Sequence, residues 1–119
     1  MDNDAEDLFD RALNKFNIDA YDEAIKIFKK VLEMNPDHPD ALYYKALAWA
    51  NKGDYNQAIA DFTKAVEKDP FDTDSLIGRG EAWQSKGKVK RALADFKNAL
   101  SIDPDNPYYQ KLVDDLEEK

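Results

Sequence analysis

The chain has 119 residues, 43% hydrophobic and 35% charged, which specifies one folded, water-soluble domain rather than a disordered segment. Its formal charge of -8 turns phosphate away and so argues against nucleic acid and anionic membrane surfaces as partners. No cysteine is present, which excludes a disulfide framework, a thiol nucleophile and a thiolate metal site, and no apolar run approaches the ~18 residues of a membrane span. The opening Met1-Asp2-Asn3-Asp4 is acidic where a secretory signal would be basic and then apolar, so a cytoplasmic location is expected.

Helices are predicted at 5–17 and 21–34, 39–52 and 55–68, and 73–86 and 89–102, with a last one over 107–119. In the first pair, Leu8 and Ala12 pack inward and Ala12 faces Ala24 across the hairpin. The second pair is the most explicit. Pro39 suits a first helical turn, where its missing N–H has no intrahelical partner. Leu42, Tyr43, Ala46, Leu47 and Ala50 recur at helical spacing until Gly53, a residue that tolerates the left-handed C-terminal conformation. Asp54 caps the next start. Ala58, Ile59, Phe62, Ala65 and Val66 form the second stripe, and Asp69-Pro70 ends it, because the residue before proline disfavours the helical region. The third pair repeats this grammar with Leu76, Gly80, Gly87, Ala92, Phe96 and Pro104. Asn106 and Pro107 then start one more helix, with Tyr109, Leu112, Val113 and Leu116 on its apolar face and Asp114, Asp115, Glu117 and Glu118 on its wet face.

A shift of 34 residues superposes these units: Leu8, Leu42 and Leu76; Ala12, Ala46 and Gly80; Ala24, Ala58 and Ala92; Phe28, Phe62 and Phe96; Pro36, Pro70 and Pro104. The small residues let paired helix axes approach, and the phenylalanines fill the space between successive hairpins. Tyr21 and Tyr55, Trp49 and Trp83, and Gly53 and Gly87 extend the register, with Lys15 and Asp19 departing from it in the first copy. The repeats are placed at 5–38, 39–72 and 73–106, with residues 107–119 as a helix that covers the open end of the stack.

This pattern resembles the tetratricopeptide repeat. The second copy carries it most fully, with Leu42, Ala46, Trp49, Gly53, Tyr55, Ala58, Phe62, Ala65 and Pro70. The resemblance implies an all-α, right-handed superhelical solenoid of three hairpins plus a C-terminal capping helix. The first helix of each pair would line a concave groove that holds a peptide or helix of another protein. On that expectation the groove residues are Phe9, Leu13, Phe16 and Asn17 from the first repeat, Tyr43, Tyr44, Leu47 and Asn51 from the second, and Ile77, Glu81 and Gln84 from the third, beside Glu6, Asp40, Asp74, Gly78 and Ser85. The N-terminal half would be apolar and aromatic, the C-terminal half polar, and Tyr43 and Tyr44 would serve binding rather than stability.

Some members of that family hold acidic chaperone tails in a clamp of lysine, arginine and asparagine. The matching positions here are Phe9, Leu13, Tyr44, Asp74 and Gly78, which lack the cation and amide, so no such clamp is expected. The expected partner is a protein or peptide, apolar with basic flanks. A homodimer through Tyr109, Leu112 and Leu116 is the alternative, and an engineered or excised scaffold without a ligand of its own is a third reading.

Chemistry is not expected. His38, the single histidine, occupies the slot that Asp72 and Asn106 fill in later copies and reads as a helix cap. The acids Asp2, Asp4, Glu6 and Asp7 lack the glycine and glutamate of a calcium loop. The cluster Lys86, Lys88, Lys90 and Arg91 reads as a solvated turn. No phosphate-cradling loop or nucleophile–base pair is present, so no enzyme activity, cofactor or metal is expected.

Overall fold

The computed structural model describes residues 4–118; Asp2 of the acidic N-terminal group, and Lys119, lie outside them. The described residues form seven helices: α1 Ala5–Asn17, α2 Tyr21–Met34, α3 Pro39–Lys52, α4 Tyr55–Lys68, α5 Thr73–Ser85, α6 Val89–Ile102 and α7 Pro107–Glu117. None is long and apolar enough to cross a membrane.

The helix starts follow from local chemistry. Asp4, Asp54 and Asp72 each accept a hydrogen bond from the backbone N–H three residues on. His38 does the same through Nδ1, which accepts from Ala41 N–H at 3.2 Å, while its Nε2 lies 3.1 Å from Glu6 Oε2. That pairing requires the tautomer protonated on Nε2 and ties α3 back to α1. Asn106 caps α7 by accepting from the N–H groups of Tyr108 and Tyr109. Gly53 and Gly87 end their helices at φ 91° and 79°. At the equivalent place in the first repeat Asp19 adopts φ 64°, a conformation that aspartate tolerates better than most side chains.

Each helix packs on its chain neighbours, α1 with α2, α2 with α3 and so on to α7. In addition α1 touches α3 and α3 touches α5, whereas no such contact joins α2 to α4 or α4 to α6. The first helices are thus crowded together and the second helices splayed, so the stack bends with α1, α3 and α5 on its inner side. Its extents are 51 × 25 × 20 Å.

Phe28, Phe62 and Phe96 are fully buried, together with Ala12, Ala24, Ala46, Ala58 and Ala92. Gly80 takes the place of Ala46 in the third copy, and the ring of Phe96 has moved into the vacated space. A Cβ built on Gly80 would stand 2.5 Å from Phe96 Cε1. Glycine to alanine inside a helix ordinarily gains about 1 kcal/mol. Here overpacking against an immobile ring costs about 1–3 kcal/mol and wins. Gly80→Ala is therefore expected to lower stability by about 1 kcal/mol in urea denaturation, the reverse of its propensity effect.

Tyr109, Val113 and Leu116 of α7 bury themselves against Leu76, Ala92, Phe96 and Ala99, with Leu112 packed beside them. The terminal helix covers the apolar end of the stack. This corrects the dimer face expected at Tyr109, Leu112 and Leu116. Tyr109 is 7% exposed and Leu116 5%, so the stripe is already occupied within the chain.

Between the helices of the second and third repeats lies a repeated, largely buried ion pair. Arg79 donates from Nε and Nη2 to the two oxygens of Asp95 at 2.9 and 2.8 Å, and from Nη1 to Thr63 Oγ1 at 3.2 Å. One repeat earlier, Lys45 Nζ lies 3.4 Å from Asp61 Oδ2, an ion pair without a hydrogen bond to that buried oxygen. Burial raises the Asp61 pKa, and the attraction of Lys45 only partly offsets it. A carboxyl group with a raised folded-state pKa weakens the fold when ionised. The Asp61 contribution therefore becomes less unfavourable as pH falls from its raised value toward the ordinary carboxylate range.

Candidate peptide groove

On the inner side, two adjoining clefts open between the first helices. One, of about 230 Å³, is lined by Leu47, Ala50, Asn51, Tyr55, Phe62, Gly78, Glu81, Ala82 and Ser85. The other, of about 320 Å³, is lined by Tyr43, Leu47, Asp74, Ile77, Gly78, Glu81, Asn106, Tyr108 and Tyr109. They share Leu47, Gly78 and Glu81 and so form one continuous trough along α3 and α5, closed at its C-terminal end by α7.

Helical periodicity positions this lining. Tyr43 and Leu47 are one turn apart on α3, and Asp74, Gly78 and Glu81 are successive turns on one face of α5. Gly78 is required where it stands, because a Cβ there would run into the buried Phe62 ring. Tyr44, the residue at the same register in the second repeat, is large. The change from tyrosine to glycine makes the trough deepen toward α5.

Of the residues expected to form the groove, Tyr43, Leu47, Asn51, Ile77 and Glu81 line the two clefts. Phe9 does not. It is 8% exposed, with its ring centroid 4.7 Å from that of His38, 5.9 Å from Phe28 and 6.0 Å from Tyr44. Phe16 and Leu13 are half-buried against the same cluster, and Asn17 is exposed at the end of α1. Tyr44 packs among Phe9, Phe16, Phe28 and Tyr43, with centroids 5.3–6.4 Å apart. It serves stability as much as surface, contrary to the expectation. Ile77 lines the second cleft yet is largely buried, and Gln84 is exposed outside both clefts. The aromatic N-terminal half expected to be open is thus filled by its own rings, and the open volume lies further along.

Sequence reasoning missed Tyr55, Ala50 and above all Tyr108 and Tyr109, which α7 brings into the trough. Tyr108 Oη donates to Glu81 Oε2 at 2.9 Å. The trough is electronegative: the Tyr43 phenol is pushed up to about 12 by burial, then by the charges of Asp74, Tyr44, Asp72 and Glu81. Burial and the hydrogen bond to Glu81 also raise the Tyr108 pKa.

Two cations of the basic turn after α5 lie over an aromatic ring. Lys86 Nζ lies 5.8 Å and the Arg91 guanidinium 4.8 Å from the Trp83 ring centre.

The helix pairs, their 34-residue register and the inner trough define an all-helical repeat solenoid. A family model described as tetratricopeptide repeat matches residues 9–73 and again 50–107. The chain belongs to the tetratricopeptide repeat family. No curated protein sequence matches it. Among solved structures it is similar to the first such domain of Spaghetti (RPAP3) bound to the HSP90 peptide SRMEEVD, at 23% identity and TM-score 0.90 over 99% of this chain and 94% of that one. The Arabidopsis OM64 domain gives 22% and 0.87, over 96% and 94%. The Yersinia enterocolitica type III secretion chaperone SycD, in complex with a peptide of the translocator YopD, gives 18% and 0.83 over 95% and 86%. At these identities the likeness is one of fold.

Proposed function

We propose that this chain is a non-catalytic protein-interaction module that holds a peptide or helix of a partner protein in the trough between α3 and α5. The observation that carries the reading is the pair of adjoining clefts that meet at Leu47, Gly78 and Glu81. Concave sites with apolar walls and a few convergent polar groups are where ligands bury their surface. Peptide complexes of the similar domains in RPAP3 and SycD support the same use of the fold.

The partner is an apolar segment with basic flanks. Leu47, Ala50 and Tyr55 offer apolar contact, and Asp74 and Glu81 supply negative charge beside it. Peptides selected from an unbiased display library are the test. Asn51 is exposed on the cleft wall, so Asn51→Trp fills the cleft and leaves the core untouched. Selected peptides are expected to lose affinity by about tenfold or more in that variant with the melting temperature preserved, since blocking a central pocket removes about 1.4 kcal/mol or more. Unchanged affinity would place binding elsewhere.

A carboxylate clamp is not part of this reading. Phe9 and Leu13 present no cation, Gly78 no side chain and Asp74 the wrong charge. The peptide SRMEEVD is expected to bind no more tightly than about 1 mM in fluorescence anisotropy, because its carboxylates would meet Asp74 and Glu81. Micromolar binding would show that another set of cations receives it.

A further inference from the structure

The cleft nearest α7 differs in chemistry from its neighbour. Tyrosine rings wall it from two helices, Tyr43 on α3 and Tyr108 with Tyr109 on α7. Asp74 and Glu81 stand on the intervening face of α5, two turns apart and both exposed. The rings are held in place: Tyr108 Oη donates to Glu81 Oε2 at 2.9 Å, and Tyr109 Oη to Thr73 Oγ1 at 3.1 Å. Neither Asp74 nor Glu81 has an ion-pair partner among the described residues, although seven other acids are paired with lysine or arginine. Glu81 keeps a second oxygen free of Tyr108, and Asp74 keeps both.

Aromatic faces and unpaired carboxylates attract the same kind of group. The ring quadrupole draws a cation to its face, and a concavity with low-dielectric walls focuses the field of the two acids. The phenol of Tyr43 is kept neutral first by its burial and then by negative charge that includes Asp74 and Glu81, so it stands beside them as an uncharged aromatic wall. An acidic or neutral side chain seated here would leave both carboxylates without a counter-charge. We infer that the cleft bounded by Tyr43, Tyr108, Asp74 and Glu81 is a subsite for a single lysine or arginine side chain of the bound polypeptide. The inference rests on the groove reading and deepens it. It puts the cation at the α7 end and leaves the Leu47–Tyr55 cleft for the apolar neighbour. It also gives the terminal helix a part in recognition beyond covering the core.

The test is an NMR titration of the isotopically labelled chain in about 150 mM salt, where diffuse attraction to the acidic surface is screened within about 8 Å. The probes are N-acetyl-arginine methylamide and N-acetyl-lysine methylamide, with N-acetyl-norleucine methylamide as their neutral counterpart. The cationic probes are expected to shift Tyr43, Asp74, Glu81 and Tyr108 signals in a saturable way, and the neutral probe to leave those side chains unmoved. The exposed-site double variant Asp74→Asn/Glu81→Gln should weaken the cations about tenfold, and Tyr108→Ala should weaken them several-fold while Tyr108→Phe keeps most of the affinity. Equal response to norleucine, or cation shifts spread over the whole acidic surface, would overturn the subsite. So would a concentration-dependent doubling of mass abolished by the double variant, since the basic turn of a second copy would then be the occupant. If norleucine moves Leu47 and Gly78 while the cations leave Tyr43 and Tyr108 untouched, the subsite falls and the groove stands. If no probe moves a groove signal, the subsite falls and the selected peptides alone decide the groove.

Discussion

Phe62→Ala is expected to remove about 3–5 kcal/mol of stability, a large share of the about 5–15 kcal/mol that a domain of this size has. Phe62 is fully buried, sits 6.0 Å ring to ring from Tyr43, and leaves no room for a Cβ on Gly78. It therefore joins α4 to α3 on one side and to α5 on the other. Each repeat of a solenoid leans only on its neighbours, so a cavity at this place also loosens the coupling between the two ends of the stack. Guanidinium denaturation should show a lower midpoint and a shallower transition, and Phe62→Leu a smaller loss. A loss under about 1 kcal/mol would mean that neighbouring rings collapse into the space.

The second large effect concerns Arg79 and Asp95. Their side chains are 20% and 9% exposed, and the two hydrogen bonds between them are parallel and charge-assisted. Asp95 supports the Arg79 charge strongly enough that the guanidinium pKa is raised despite desolvation. Arg79→Met leaves a carboxylate buried without its counter-charge and is expected to cost about 3 kcal/mol or more. Arg79→Met/Asp95→Leu removes both charges together and should return to within about 1 kcal/mol of the parent. A double-mutant cycle read by urea denaturation measures the difference. Additive losses would show that the two residues act by packing and not as a pair.

Much of the fold was legible because the chain punctuates itself. Pro39, Gly53, Gly87 and Pro107 mark helix ends that the structure reproduces, and the alanine and phenylalanine registers found the core. The small departures are local. α5 stops at Ser85, because Gly87 at φ 79° reverses the chain and Lys88 N–H closes back on the carbonyl of Trp83. The ion pairs were present in the same 34-residue register, as Lys45 with Arg79 and Asp61 with Asp95, but charged residues at helical spacing look like a wet face until a partner helix covers them.

The site was half legible. Helical spacing, read with the resemblance to the repeat family, placed Tyr43, Leu47, Asn51 and Glu81 on the inner face. Whether a face residue is open or filled depends on what its neighbours bring, and no periodicity contains that. Phe9 is enclosed because Phe28 arrives from α2 and His38 from the cap of α3. Tyr108 was missed because α7 has the pattern of a cover, and its reach across to Glu81 spans 27 residues of sequence.

The most direct measurement is amide chemical-shift mapping with a peptide selected for binding to this chain. The account expects the largest shifts on α3 and α5 around Leu47, Gly78 and Glu81, extending to Tyr108 on α7. Shifts gathered instead on the outer helices α2, α4 and α6, or on the turn from Lys86 to Arg91, would contradict it.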